Sequence, residues 1–181
     1  MSGKLWDRVV RVVCVIAMVV TYLPLTAMPA YASSDFTGGA DLSPAQYMLN
    51  DHTAYAVHVA GSGLPASTVL GVSIKLSDTG ASGGFGTAPG FTWNAGLSRW
   101  VQSREAASND ATIATDASGA ASGWFYFKCG DEGFTGFAAG NGHGANQAYL
   151  TAQIQVLGGG NSYNPTVRPI VTIIDAKTQG A

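Results

Sequence analysis

The chain has 181 residues, 46% apolar and only 11% charged, with nine basic against eleven acidic residues and a net charge of −2. Its lysines and arginines are scattered singly, whereas nucleic acid and anionic membrane surfaces call for clustered positive charge, so neither is an expected partner. Two cysteines are present, Cys14 and Cys129; Cys14 falls in the leader expected over the first 32 residues, and the one left cannot build a thiolate zinc site.

The first 32 residues have the layout of a secretory leader. Lys4, Arg8 and Arg11 precede an apolar run, Val12 to Leu23, and "AYA" at 30–32 ends on small residues. The run is twelve residues long, against the ~20 that a bilayer-spanning helix needs, and Pro24 and Pro29 would interrupt any extension. Cleavage after Ala32 is expected, giving a secreted or cell-surface protein that meets a membrane only if the leader stays uncleaved. What remains carries six basic and ten acidic residues, net −4, and a single cysteine, Cys129. One cysteine makes no internal disulfide, so Cys129 is expected as a buried small apolar residue at a strand end.

Residues 33–54 are expected to be a lead-in, flexible over 33–42. In "SPAQYMLND", 43–51, Ser43 as a cap and Pro44 as a first-turn proline predict one short helical turn. From Tyr55 onward the pattern alternates with a period of two. "YAVHV" places Tyr55, Val57 and Val59 on one face and His58 on the other. "VLGVSIKL" sets Leu70, Val72, Ile74 and Leu76 against Val69, Gly71, Ser73 and Lys75. "YLTAQIQV" sets Leu150, Ala152, Ile154 and Val156 against Thr151, Gln153 and Gln155. The last two predict half-buried strands. "VRPIVTIID" is β-branched and apolar throughout, and Pro169 argues for an edge or a bulge there.

"GSGLPAS" (61–67), "NAG" (94–96) and "DASG" (116–119) supply turn chemistry between these segments. After the last of them comes "GWFYFKC". On a strand, Phe125, Phe127 and Cys129 share one face, and Trp124, Tyr126 and Lys128 share the other. The lysine marks the second face as the wetter one, so the two phenylalanines should point into the core. Trp124 and Tyr126 are then either shielded by a neighbouring loop or strand or form a flat aromatic platform for a sugar or a protein partner.

Short strands with this punctuation and no long helical stripe predict an all-β fold, a two-layer antiparallel sandwich of about seven to eight strands over 55–181. Three stretches carry a resemblance. "VHVAGSGLPASTVLGVSIKL", "TIATDASGAASGWFYFK" and "AYLTAQIQV" together resemble a bacterial immunoglobulin-like domain of secreted and surface-anchored proteins, over roughly 55–157. That resemblance implies an immunoglobulin-like sandwich serving as a spacer, adhesive or accessory module, and it implies no catalytic residue.

Motifs that could carry chemistry are few. "SDTGAS" (77–82) matches the loop that holds an aspartic-protease carboxylate, but that reaction needs two such aspartates sharing a proton. No second Asp-Thr-Gly is present, so the protease reading around Asp78 would require a homodimer. "GNGHGAN" (140–146) is followed by a strand pattern, not by the helix that a phosphate-cradling loop needs. His52, His58 and His143 show no tight two-ligand spacing. Neither a metal nor a cofactor is expected, and the expected protein is not an enzyme.

If successive strands reverse direction, the glycine-rich segments 77–90 and 130–147 fall at one end. Loops longer than ~12–15 residues without regular structure are commonly functional or disordered, and a rigid sandwich is a good support for binding loops. Phe85 lies in the first segment with Trp93 just beyond it, and Asp131, Glu132, Phe134 and Phe137 lie in the second. The expected binding residues are these six together with Trp124 and Tyr126. The expected partner is a protein or polysaccharide at a cell surface.

Overall fold

The computed structural model describes residues 33–42, 47–79, 87–88, 90–103, 111–130 and 134–178. The expected leader lies outside them, as do Phe85, Asp131 and Glu132. In chain order the strands are β1 (Ser33–Asp41), β2 (Tyr47–Leu49), β3 (Tyr55–Ser62), β4 (Val69–Ser77), β5 (Thr87–Ala88) and β6 (Gly90–Asn94). They continue with β7 (Arg99–Gln102), β8 (Ala111–Ala114), β9 (Ala121–Cys129), β10 (Gln147–Val156), β11 (Ser162–Val167) and β12 (Ile170–Ile174). A single 3-10 turn, Ala176–Thr178, is the only helical element among the described residues. The protein is all-β.

Hydrogen bonding runs β2-β12-β10-β11-β1-β3-β9-β6-β7, with β4 on the other edge of β10 and pairing in turn with β5 and β8. The alternation in sequence becomes alternation in burial wherever one face meets the core. In β9, Phe127 and Cys129 are fully buried and Phe125 nearly so, while Trp124 and Tyr126 are 66% and 56% exposed. Val57 and Val59 of β3 sit opposite Phe125 and Gly123 and are themselves buried. Leu70, Val72, Ile74 and Leu76 of β4 pair with Val156, Ile154, Ala152 and Leu150 of β10, and all these side chains belong to one core. Complete burial of such aliphatic groups contributes about 1.5–3 kcal/mol each.

β1 joins the two groups of strands. Ser33–Phe36 pair in parallel with Ser162–Pro165 of β11. After a register shift, Thr37–Asp41 pair antiparallel with Ser62–His58 of β3. Phe36 and Ala40 are buried, so the strand is anchored on both sides of the shift.

Several expectations are corrected here. The stretch over 33–42 is a core strand, not a flexible lead-in, and it belongs with β2 to the same compact unit as the rest of the described chain. Tyr47–Leu49, expected to be helical, form a strand parallel to β12; residues 43–46 of that expected turn lie outside the described residues. The sheet is mixed, since β1–β11 and β2–β12 are parallel pairs, and the ten strands among the described residues of 55–181, β3 to β12, exceed the seven or eight expected there. Pro169 sits in the break between β11 and β12, where its carbonyl accepts the Leu150 N–H at 2.8 Å. The break divides two segments that both pair with β10, β11 with its end and β12 with its start.

β4 and β10 also differ from half-buried strands. Both of their faces are covered, and the second face is polar: Ser73, Lys75, Ser77 and Thr151 are at most 1% exposed, and Gln153 is 8% exposed. Lys75 Nζ donates to Gln153 Oε1 at 3.1 Å, and Gln153 Nε2 donates to Asn164 Oδ1 at 3.1 Å. Most buried polar groups make their hydrogen bonds; on this face the Thr151 hydroxyl is the exception, with no partner among the described residues. Gln153 supplies an acceptor on one side and a donor on the other, and so satisfies a strand β4 group and a strand β11 group together.

Candidate functional site

The outward face of β3, β9, β6 and β7 carries a band of aromatic rings, and cross-strand register builds it. His58 lies opposite Trp124, and Ala56 opposite Tyr126. On the other edge of β9, Lys128 lies opposite Phe91. Trp93 pairs with Trp100, and Phe91 with Gln102. Directly opposed residues share a face of the sheet, so His58, Trp124, Tyr126, Lys128, Phe91 and Trp100 emerge on one side.

The rings contact one another. His58 stacks on Trp124 with centroids 4.8 Å apart and planes at 30°, while its Nε2 lies 2.8 Å from Ser122 Oγ. Trp93 meets Trp100 edge to face at 5.6 Å. The Lys128 ammonium lies 4.5 Å from the centroid of Trp100 and 5.6 Å from that of Phe91, within the range of cation–π attraction. Trp124 and Tyr126, shielded by no neighbouring strand, remain the exposed members of the group.

A depression opens where β6 leaves β9. Their ladder covers only Gly90–Thr92 against Phe127–Cys129. Beyond it Trp93 and the hairpin turn Asn94–Gly96 diverge, leaving a space of about 420 Å³ lined also by Thr112, Trp124 and Tyr126. That volume is within the usual range for a small-molecule site, and a mostly apolar lining with a few polar groups is the usual chemistry of one. The amide of Asn94 and the hydroxyl of Thr112 are the polar side chains of this lining.

The structure therefore brings Trp93, Trp124 and Tyr126 together and places Phe134 and Phe137 elsewhere. These two meet edge to face at 5.4 Å and pack, partly buried, against the core. Sequence reasoning missed Phe91 and Trp100 as members of the aromatic band, put Lys128 on the face of Trp124 and Tyr126 without naming it a binding residue, and gave His58 an outward face without a ring partner. Alternation assigned each residue to a face of its own strand, but nothing in the sequence told which strands would be neighbours. The "NAG" turn was the one available signal for Trp100, since a hairpin there brings Trp93 opposite it.

The described ends of segments 77–90 and 130–147 meet around His143. Its Nε2 lies 3.0 Å from Asp78 Oδ1 and 3.2 Å from the Asp78 carbonyl, and its Nδ1 lies 2.8 Å from the Gly144 carbonyl. Asn141 Nδ2 donates to the other Asp78 oxygen at 2.9 Å. Both ring nitrogens thus face oxygen acceptors, an arrangement that only the doubly protonated ring fills with a donor on each side. The Gly144 carbonyl foremost, then the Asp78 carboxylate, raise the imidazole pKa above its ordinary 6.5 despite burial, which opposes the charge. Asp78 is engaged as the clasp of this loop.

A pKa raised in the folded state means that the native protein holds the proton more tightly than the unfolded chain does. The clasp therefore contributes fully below about pH 6.5 and is lost as pH rises through the higher folded-state value. An NMR titration of His143 is expected to show a midpoint above that of an unfolded-chain histidine. Asp78→Asn should lower it, and hydrogen exchange over 140–149, corrected for intrinsic rate, should accelerate above the midpoint. A midpoint that Asp78→Asn leaves unmoved would count against the clasp.

Cys129 is fully buried, and burial first, with the charge of Asp51 adding to it, pushes its thiol up to about 12. The thiolate is the reactive form, so this cysteine is inert at neutral pH. Among the described residues no group of three or more metal-binding side chains occurs, and no helix is long and apolar enough to cross a membrane. Comparison with family models, curated proteins and solved structures finds no match to the chain.

Proposed function

We propose that this chain is an exported, non-catalytic recognition module of immunoglobulin-like sandwich architecture that binds saccharide on the outward face of β3, β9, β6 and β7. The strand order supports the architecture. In the immunoglobulin pattern one sheet runs A-B-E-D and the other C-F-G. With β1, β3, β4, β6, β9, β10 and β11 taken as A to G, the observed neighbours are β1-β3-β9-β6 and β4-β10-β11. The remaining strands are additions at edges or links.

The observation that carries the function is the exposure of Trp124 and Tyr126 beside the depression that they share with Trp93. Leaving large rings in water forgoes about 1.5–3 kcal/mol of burial per side chain, and a contiguous exposed apolar patch of this kind marks a binding surface. A pyranose ring offers an apolar C–H face that lies flat on an aromatic ring, and a hydroxyl rim for the amide of Asn94 and the hydroxyl of Thr112. The surface assigned is therefore the sheet face, in place of the loop end formed by 77–90 and 130–147.

The test is affinity electrophoresis and calorimetry against a panel of polysaccharides. Trp124→Ala and Tyr126→Ala should each weaken binding at least about tenfold, as loss of a central aromatic anchor does at other interfaces. Val167→Ala, which trims an exposed apolar residue on β11 away from the platform, should leave binding unchanged. A Trp124→Ala, Tyr126→Ala double variant that binds every polymer like the parent would end this reading.

A further inference from the structure

The aromatic face carries a fixed cation. We infer that the saccharide it takes is acidic, a polysaccharide whose carboxylate groups are met by Lys128 while its rings lie on Trp124 and Tyr126. This inference rests on the saccharide reading above and specifies its ligand.

Three observations converge on it. First, Trp124, Tyr126 and Lys128 form one row along β9. At about 3.4 Å per residue, alternate positions along the strand stand about 7 Å apart, and Lys128 leans from that row across β6 toward Trp100 of β7. An extended chain following the strand would place successive rings over the aromatics and a charged substituent at the lysine. Second, the Lys128 ammonium is held over Trp100 and Phe91 and has no carboxylate partner among the described residues. A cation pre-positioned on aromatic faces, where water is partly excluded, gains more from an incoming anion than a freely solvated one.

Third, the surrounding charge is one-sided, although the chain as a whole is acidic. β3, β6, β7 and β9 contain no aspartate or glutamate; Lys128 lies on their aromatic face, while Arg99, which pairs with Asn94 and alternates with Trp100, faces the other way. The nearest acidic side chain by register is Asp41, opposite His58 on β1. His58 is in turn opposite Trp124, which puts Asp41 at the far corner from Lys128. On these four strands a carboxylate arriving at Lys128 therefore meets a cation and no acidic residue, and Asp51 is the acidic group whose charge reaches the neighbouring Cys129.

The experiment compares acidic polysaccharides, each a polyuronate, with the same polymers after chemical reduction of their carboxyls to primary alcohols. The backbone stays and the charge goes. The parent protein should bind the acidic form about tenfold more tightly at low salt, and about 1 M NaCl, where the screening length is about 3 Å, should remove most of that preference. Lys128→Gln should abolish the preference, Lys128→Arg should keep it, and near-UV circular dichroism should match the parent in both. Equal binding of acidic and reduced polymers by the parent, or an unchanged preference in Lys128→Gln, overturns the acidic ligand while leaving saccharide binding intact. Binding to neither form of any polymer, or full binding by Trp124→Ala, overturns the saccharide reading itself.

Discussion

Gly39→Ala is expected to cost about 4 kcal/mol of folding stability, at the severe end for single substitutions, as read from urea unfolding. The position lies where β1 exchanges β11 for β3. A methyl group built on Gly39 would stand 1.9 Å from the Val167 carbonyl oxygen and 2.8 Å from its carbon, both of them backbone atoms that cannot rotate away. Relief requires β1 and β11 to part, which removes the Gly39–Val167 pairing and disturbs the parallel ladder over Ser33–Phe36. Gly63→Ala is the reference. Gly63 has φ +85° with nothing within 4 Å of an added methyl, so its cost is that of a left-handed backbone alone, about 1–2 kcal/mol. Equal losses for the two variants would show that the crossing is not tightly packed.

Gln153→Leu should be nearly as damaging, at about 3–5 kcal/mol. The loss would come from what the amide leaves behind, since leucine fits the size of the site. Lys75 and Asn164, 1% and 2% exposed, would each lose a hydrogen bond. A buried group stripped of a partner costs about 1–3 kcal/mol, more when it is charged. Gln155→Leu, two residues along β10, removes only a long contact of 3.4 Å to the Gly160 carbonyl and should cost less than about 1 kcal/mol. Guanidinium unfolding of the two variants side by side tests the difference, and similar midpoints would reject a structural role for the Lys75–Gln153–Asn164 chain.

These two sites also show where the sequence was legible and where it was not. In β9 the alternation of Trp124 and Tyr126 with Phe125 and Phe127 gave the correct inward face, because one side of that strand meets water and the contrast is strong. In β4 the same logic placed Ser73 and Lys75 in solvent, and the structure buries them. Alternation reports polarity, and polarity stands for exposure only when no partner is available inside. Here Gln153 and Asn164 come from strands distant in sequence, so their availability had no local sign.

β1 was invisible for a related reason. "SSDFTGGAD" has one large apolar residue, Phe36, and its glycines and register shift erase the period that would announce a strand. Its stability comes from two neighbours, β3 and the much later β11, which its own residues do not announce. The aromatic face was legible in part: Trp93, Trp124 and Tyr126 could be named as candidates and Lys128 placed on the face of the last two, but the ring partners His58 and Trp100, and the contacts of Lys128 with Phe91 and Trp100, depended on register across four strands.

The parallel pairing of β1 with β11 bears on how the protein would carry mechanical load. A pull applied at Ser33 and at Val167 draws these neighbouring parallel strands in opposite senses along their length. The hydrogen bonds between them lie across the line of force, so they must yield together, whereas a hairpin peels open one bond at a time. Extension between Ser33 and Val167 would thus be resisted at the seam where β1 and β11 meet.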